Sequence, residues 1–303
     1  MRLGSLCTGY GGLDMAVSAH YGADLAWYSE IDKDCSQLLA HHWPTQPNLG
    51  DLTTIGWDQV DPVDVLCAGF PCQPFSHAGK REGENDDRAI FAYIADAIGV
   101  LRQRRRQPRI VVLENVAGIL TLGGPGVVGT LTGLGYDLRW GVVRASDAGA
   151  PHRRARWFCV ATNAEVVHGA HGRQAVEDQG CVQVQPRRGD SSATDTEGAE
   201  RRTEEHETVG APIGSTSEPR ERTSATSWDC YEPAIRRWER TIGRPAPAPT
   251  DDGKLSSRFV EWMMGLSQGH VCGLGLSRTA ELKMIGNGVC PQQATLALTL
   301  LDE

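Results

Sequence analysis

Between residues 2 and 162 short apolar runs alternate with amphipathic stretches, and this alternation leaves few architectures open. Leu3 to Leu6, Asp24 to Tyr28, Val63 to Ala68, Ile110 to Leu113, Gly141 to Arg144 and Trp157 to Ala161 read as strands. Between them, Ala89 to Gln103 carries apolar residues at 90, 91, 94, 98 and 101, the spacing of a helix packed on a sheet. Strands alternating with helices predict an α/β fold with a doubly wound, mostly parallel sheet. At 303 residues the chain has room for one such domain and a second, smaller one.

Open α/β sheets place their chemistry in the crevice beyond the strand ends. The run from Asp64 to Ser76 leads there: Gly69 and Pro71 turn the chain sharply out of a buried strand and present the Cys72 thiol, within Pro71-Cys72-Gln73. Taken alone, an unpaired cysteine is more often a small buried hydrophobe than a nucleophile. Two further strands change the balance. Arg109 to Val116 ends in Glu114, a carboxylate whose desolvation at a strand end needs a purpose, and Arg156 to Ala161 follows the basic cluster His152-Arg-Arg-Ala-Arg156. Thiol, acid and guanidinium are thus expected on one rim.

The strand Leu3 to Leu6 enters Gly9-Tyr-Gly-Gly12 and then a helix from Leu13, so a ligand can approach backbone amides where side chains are missing. Glu30, after the second strand, stands where an acid accepts hydrogen bonds from ribose hydroxyls. A dinucleotide site competes with this reading. The turn lacks the full Gly-x-Gly-x-x-Gly and holds no basic residue for a pyrophosphate, which argues against a dinucleotide.

The net charge of −8 argues against a protein that coats nucleic acid indiscriminately, yet leaves room for a local basic cleft. Arginines cluster at 102 to 109, 153 to 156, 187 and 188, and 236 to 244; the first group reads as a solvated face. None of the nine cysteines has the two-residue spacing of a zinc site or redox dithiol, so reduced thiols and no metal are expected. His168 and His171 near Cys181 read as solvated loop side chains. No run reaches the roughly 18 apolar residues of a membrane span, and the first residues lack a signal-peptide pattern, so a cytoplasmic protein is expected.

From 163 to 227 the sequence turns polar, with few aliphatic or aromatic residues, too few to order itself by burial, and it reads equally as part of the smaller domain or as an inserted mobile loop. Order is expected again from Trp228: Pro233 opens a helix with Ile235, Trp238 and Ile242 on one face and Arg236, Arg240 and Arg244 on another. That basic stripe reads equally as phosphate contact or solvated face. The alternating prolines at 245 to 249 form a stiff linker, Arg258 to Leu266 a helix joining two lobes, and Pro291 to Leu301 a final helix against the larger lobe.

Seven motifs in order, Gly9-Tyr-Gly-Gly12, Ser29-Glu-Ile-Asp32, Gly50-Asp-Leu-Thr53, Gly69-Phe-Pro-Cys-Gln73, Glu114-Asn-Val116, Arg154-Ala-Arg156 and Gly286-Asn-Gly-Val289, resemble those of the C5-cytosine DNA methyltransferases of bacteria and phages. The resemblance spans residues 2 to 162 and 255 to 298. It implies a catalytic and cofactor-binding domain at 1–162 plus 276–303 and a target-recognition domain at 163–275, with 163–227 a flexible part of it. It implies Cys72 as nucleophile, Glu114 as donor to N3 of the base, Arg156 at O2 and Arg154 in support. The implied cofactor is S-adenosyl-L-methionine, which fits the glycine-rich turn better than a dinucleotide does, held by Gly9, Tyr10, Gly11, Gly12, Glu30, Ile31, Asp51, Leu52, Pro71, Asn287 and Gly288, with Asp51 on the adenine amine. Double-stranded DNA is the implied partner, a cognate restriction endonuclease a candidate one, and a monomer the expected state.

Three departures from the family pattern stand out. Cys7 replaces the usual Phe that stacks on adenine, with Tyr10 or Ile31 as candidates to fill the space; His152 replaces a common Gln and reads as a support for its neighbours; Asp86-Asp-Arg-Ala89 lacks a glycine. Ser76 to Arg88, polar and glycine-punctuated, reads as a mobile flap. The rival readings are a tRNA cytosine-5 methyltransferase, a catalytically inert DNA-binding relative and an NAD-dependent oxidoreductase. The last leaves Cys72 and the closing Gly-Asn-Gly unexplained.

Overall fold

The computed structural model describes residues 1–71, 88–104, 106–164, 181–184 and 228–303. Of the features expected from sequence, the nucleophile Cys72, the flap up to residue 87, His168 and His171 lie outside the described residues.

Among the described residues the main sheet holds β1 (Arg2–Leu6), β2 (Asp24–Ser29), β3 (Val65–Gly69), β4 (Ile110–Val116), β5 (Tyr136–Arg144), β6 (Ala155–Asn163) and β7 (Cys181–Val184). Their spatial order is β2-β1-β3-β4-β6-β5-β7. The pairings of β1 with β2 and β3, of β3 with β4 and of β5 with β7 are parallel, while β6 runs antiparallel to β4 and β5. The sheet is therefore mostly parallel, with one reversed strand. That reversal positions the site: the first residues of β6 lie beside the last residues of β4, Arg156 opposite Val116 and Phe158 opposite Glu114. Gly69, where β3 ends, lies opposite Glu114.

Both sheet faces are covered, which explains why the central strands read as nearly continuous apolar runs. On one face Leu3, Val65, Cys67, Val112, Phe158 and Val160 pack against α1 (Gly12–Tyr21) and α9 (Pro291–Asp302). On the other, Leu66, Ala68, Val111, Leu113, Trp157 and Cys159 meet Ile94, Ile98 and Leu101 of α3 (Arg88–Gln103) and Val127 and Leu131 of α5 (Gly124–Gly133). Neighbouring residues of one strand point to opposite faces. Each fully buried aliphatic or aromatic side chain contributes about 1.5–3 kcal/mol.

α2 (Lys33–His42) is capped by Asp32, whose side chain accepts from the Asp34 and Cys35 amides. α4 (Ile119–Leu122) leads into α5. α6 (Glu232–Ile242) begins beside Pro233 and buries Ile235 and Trp238, as its spacing predicts. Its arginines are less free than the stripe suggested. Arg236 pairs with Glu232 at 2.7 Å and Glu239 at 2.8 Å, while Arg244 lies beyond the helix, which ends at a left-handed Gly243, and donates to the Leu266 carbonyl. β8 (Thr250–Asp251) and β9 (Lys254–Leu255) form a hairpin whose two turn residues, Asp252 and Gly253, have φ of 49° and 72°. Two left-handed residues in succession match the right-handed twist of the flanking strands.

Three boundaries differ from the sequence reading. β5 starts at Tyr136 rather than Gly141, because alternating buried and exposed residues make a half-buried strand that a search for apolar runs misses. α7 (Ser257–Met263) stops before Leu266, since Gly265 takes a left-handed φ of 71°. Within the polar interval 163–227, β7 adds to the sheet beside β5; backbone hydrogen bonding to an open edge supplies order that composition does not announce.

Candidate active site

β1, β2, β3 and β4 end, and β6 begins, along one rim, and a cavity of about 490 Å³ opens there. It is lined by Cys7, Thr8, Gly9 and Gly12 after β1, Glu30 and Asp32 after β2, and Gly69, Phe70 and Pro71 after β3. Glu114 and Asn115 of β4, Arg156 of β6, and Lys283 to Val289 around the end of α8 (Arg278–Asn287), apart from Ile285, also line it. Residues far apart in sequence meet because parallel strands all finish on one side.

The glycine-rich turn is held from several directions. Gly9 and Gly11 have φ of 59° and 82°, and the Gly11 amide donates to the Thr8 carbonyl at 2.9 Å. The Gly9 amide donates to Glu30 Oε2, and the other carboxylate oxygen accepts from the Asp32 amide, each at 2.8 Å. Glu30 therefore joins the first two strand ends before any ligand is considered. Tyr10 is fully buried and its hydroxyl donates to the Val289 carbonyl at 2.6 Å, which ties the turn to the last motif. A Cβ on Gly12 would strike the Val289 carbonyl, and one on Gly288 would strike the Tyr10 ring. These glycines permit a close backbone crossing.

The carboxyl and guanidinium meet as the strand register requires: Arg156 Nε lies 3.0 Å from Glu114 Oε1. Burial is the larger influence on Glu114 and pushes its carboxyl up to about 7, against the opposing pull of Arg156 and Arg154. Glu114 is thus poised between neutral donor and ion near neutrality. Asn115 is buried beside it and donates from Nδ2 to the Phe70 carbonyl at 3.0 Å, fixing the exit of β3 just before Pro71. Sequence reading placed Asn115 in its motif without a role, although a buried amide next to a buried acid is a readable signal.

Other expected residues are not part of this lining. Arg154, with a left-handed φ of 38°, donates to the Gly286 carbonyl at 2.9 Å and to that of Gly288, so it braces the last turn and does not line the cavity. Tyr10, Gly11, Ile31, Asp51 and Leu52 also lie outside the lining. Ile31 is 71% exposed, Leu52 sits in the core, and Asp51 Oδ1 accepts from the Thr53 amide at 2.9 Å and hydroxyl at 2.8 Å. His152 donates from Nε2 to the Met263 carbonyl at 3.0 Å, and burial holds its imidazole below the usual range, so it is a neutral brace. The Cys7 thiol is pushed up to about 12 by burial and by nearby Glu30, hence neutral.

Asp32 stood in its motif without a role of its own, and Lys283 was missed altogether. Lys283 Nζ lies 3.0 Å from Asp32 Oδ2, joining α8 to the cap of α2 along the cavity. The pair escapes local reading because 251 residues separate its members.

The wall fits S-adenosyl-L-methionine: left-handed Gly9 leaves open space where a Cβ would stand, the start of α1 faces the cavity, and Glu30 supplies an acceptor. A helix start favours a carboxylate, and an acid favours hydroxyl donors.

Residues 1–298 match the model of the C-5 cytosine-specific DNA methylase family. Type II methyltransferase M.BsuFI of Bacillus subtilis is 36% identical over 155 residues, 50% of this chain and 36% of that protein. Type II methyltransferase M.NlaIV of Neisseria lactamica is 34% identical over 141 residues, 43% of this chain and 32% of that protein. The chain spans about a third of the length of these curated relatives. The fold is shared with the S. pombe Dnmt2 methyltransferase at a TM-score of 0.62 and 15% identity, over 100% of this chain and 98% of that one. With a matching family model over almost its whole length, a strand order that gathers the motifs on one rim, and a buried acid paired with an arginine there, the chain belongs to the C-5 cytosine-specific DNA methylase family.

Proposed function

We propose that the chain is a DNA (cytosine-5-)-methyltransferase. The observation that carries this is the Glu114–Arg156 pair at the end of β4, beside the Asn115-braced exit of β3 that leads directly to Cys72. Members of this family depend on S-adenosyl-L-methionine, which supplies an electrophilic methyl group. Carbon 5 of cytosine is too weak a nucleophile to take it unaided.

In this reading Cys72 adds as thiolate to carbon 6, and the displaced electron pair spreads toward carbon 5, N3 and O2. Glu114, kept largely protonated by burial below neutrality, donates at N3. Arg156 turns from Glu114 toward O2 and stabilises the charge there. After methylation at carbon 5 a base removes the carbon 5 proton, the double bond re-forms and the thiolate leaves. The target must swing out of the duplex stack to enter such a pocket.

Gly9, Gly12, Glu30, Pro71, Asn287 and Gly288 are the cofactor contacts supported by the lining, with Lys283 and Asp32 beside them. Tyr10, Gly11 and Arg154 act behind it, as supports. Residues 163–275 are proposed as the target-recognition domain, double-stranded DNA as the partner, and a monomer in the cytoplasm as the working form, with a cognate endonuclease as a candidate companion. No helix among the described residues is long and apolar enough to cross a membrane.

Base-resolution methylation sequencing of DNA from cells expressing the chain tests the reading. The wild type is expected to mark cytosines at carbon 5, and Cys72→Ser to leave no mark. Undiminished marking by Cys72→Ser rejects the covalent mechanism, and tritium transfer to tRNA but not duplex DNA moves the substrate to RNA.

A further inference from the structure

We propose that His270 is a positioning residue for the glycine-rich turn: it holds the Tyr10 carbonyl and thereby sets the affinity for S-adenosyl-L-methionine without touching it. This rests on the reading of the cavity given above.

The turn from Gly9 to Gly12 contains one side chain, that of Tyr10, so the turn is shaped by whatever grips that residue. Its hydroxyl is held by Val289, and its carbonyl accepts from His270 Nε2 at 2.8 Å. A carbonyl oxygen can only accept, so Nε2 must carry the proton. The two rings meet edge to face at 6.1 Å. His270 is buried, and burial holds its imidazole below the usual range.

His270 is itself fixed from behind. Its ring stacks on that of His42, with centroids 4.2 Å apart and planes 12° from parallel. His42 Nε2 donates to the His270 carbonyl at 2.7 Å, which continues the line of bonds from the end of α2 to the turn. Around it, the buried Glu261 carboxylate accepts from the amides of Gly269 at 2.9 Å, Val271 at 2.7 Å and Cys272 at 3.0 Å. A segment gripped this firmly transmits position. Loss of the His270 donor leaves a buried carbonyl unpaired and frees the turn.

Isothermal titration with S-adenosyl-L-methionine compares the wild type with His270→Leu, which keeps bulk but loses the donor, and His270→Gln, whose amide N–H has similar reach. The expected result is binding weakened roughly tenfold in His270→Leu and restored to within about threefold in His270→Gln, as for a buried hydrogen bond lost and regained. At saturating cofactor, kcat should change less than about twofold, because the interaction is uniform in ground and transition states. Equal affinity in all three proteins, or equal loss in both variants, overturns the inference. If His270→Leu does not fold, His270→Asn takes its place, and the shorter amide must bind more weakly than Gln or the inference fails. A wild type that binds no S-adenosyl-L-methionine overturns the reading of the cavity itself.

Discussion

Glu114 is the residue whose chemistry depends most on its surroundings. Its ordinary value of 4.5 rises to about 7 in the fold, so between these values the unfolded chain has lost a proton that the folded chain keeps. Folding stability therefore falls as pH rises through that window and levels off above it, by on the order of 3 kcal/mol. The proposed donor role gives the same group an alkaline limb in kcat/KM, with activity declining as Glu114 ionises near and above pH 7. Glu114→Gln cannot ionise. Urea melts across pH should show the slope between about pH 4.5 and 7 reduced in the variant, and pH–rate profiles should show the limb absent from its residual activity. The acid was legible in sequence as a carboxylate at a strand end. Its partner's geometry was not, because Arg156 and Arg154 look alike in a basic cluster while only Arg156 faces the cavity.

Strand direction brings both arginines to that rim, and the left-handed φ of 38° at Arg154, just before β6, sends it to the last turn instead. β6 runs against β4, so its first residues reach the rim, and a strand's direction is not contained in its apolar pattern. Helix faces were more readable. The spacing of Ile235, Trp238 and Ile242 predicts the buried side of α6, and Trp238 is fully buried with its Nε1 donating to the Trp262 carbonyl at 2.9 Å. Trp238→Ala should destabilise the fold by about 3–5 kcal/mol through lost packing, since the Trp262 carbonyl keeps the Gly265 amide as a partner at 3.0 Å. Chemical denaturation checks this; a loss under about 1 kcal/mol would mean that α6 is peripheral to the core. The arginine stripe shows the opposite limit, because spacing does not reveal that Arg236 already has partners or that the helix ends before Arg244.

At the scale of the molecule, the C-terminal elements close the structure onto its beginning: α9 packs across α1 and β5, and Val289 meets Tyr10. A ligand bound in the cavity would bridge both ends of the chain. S-adenosyl-L-methionine at about 100 times its dissociation constant should stabilise the folded state by about 2.7 kcal/mol and raise Tm by about 4 °C. Differential scanning calorimetry measures the shift, and an unchanged Tm at that concentration counts against the cofactor reading.

The alternation of strands and helices, the turn glycines and the strand-end acid could be read from sequence because they depend on local periodicity and on backbone freedom within a few residues. The folded chain alone decided the reversal of β6, the ion pair of Lys283 with Asp32, the diversion of Arg154 to the last turn and the hold of His270 on Tyr10. Each of these joins groups that loop closure and strand register bring together from distant positions, and neither quantity is written in the local pattern.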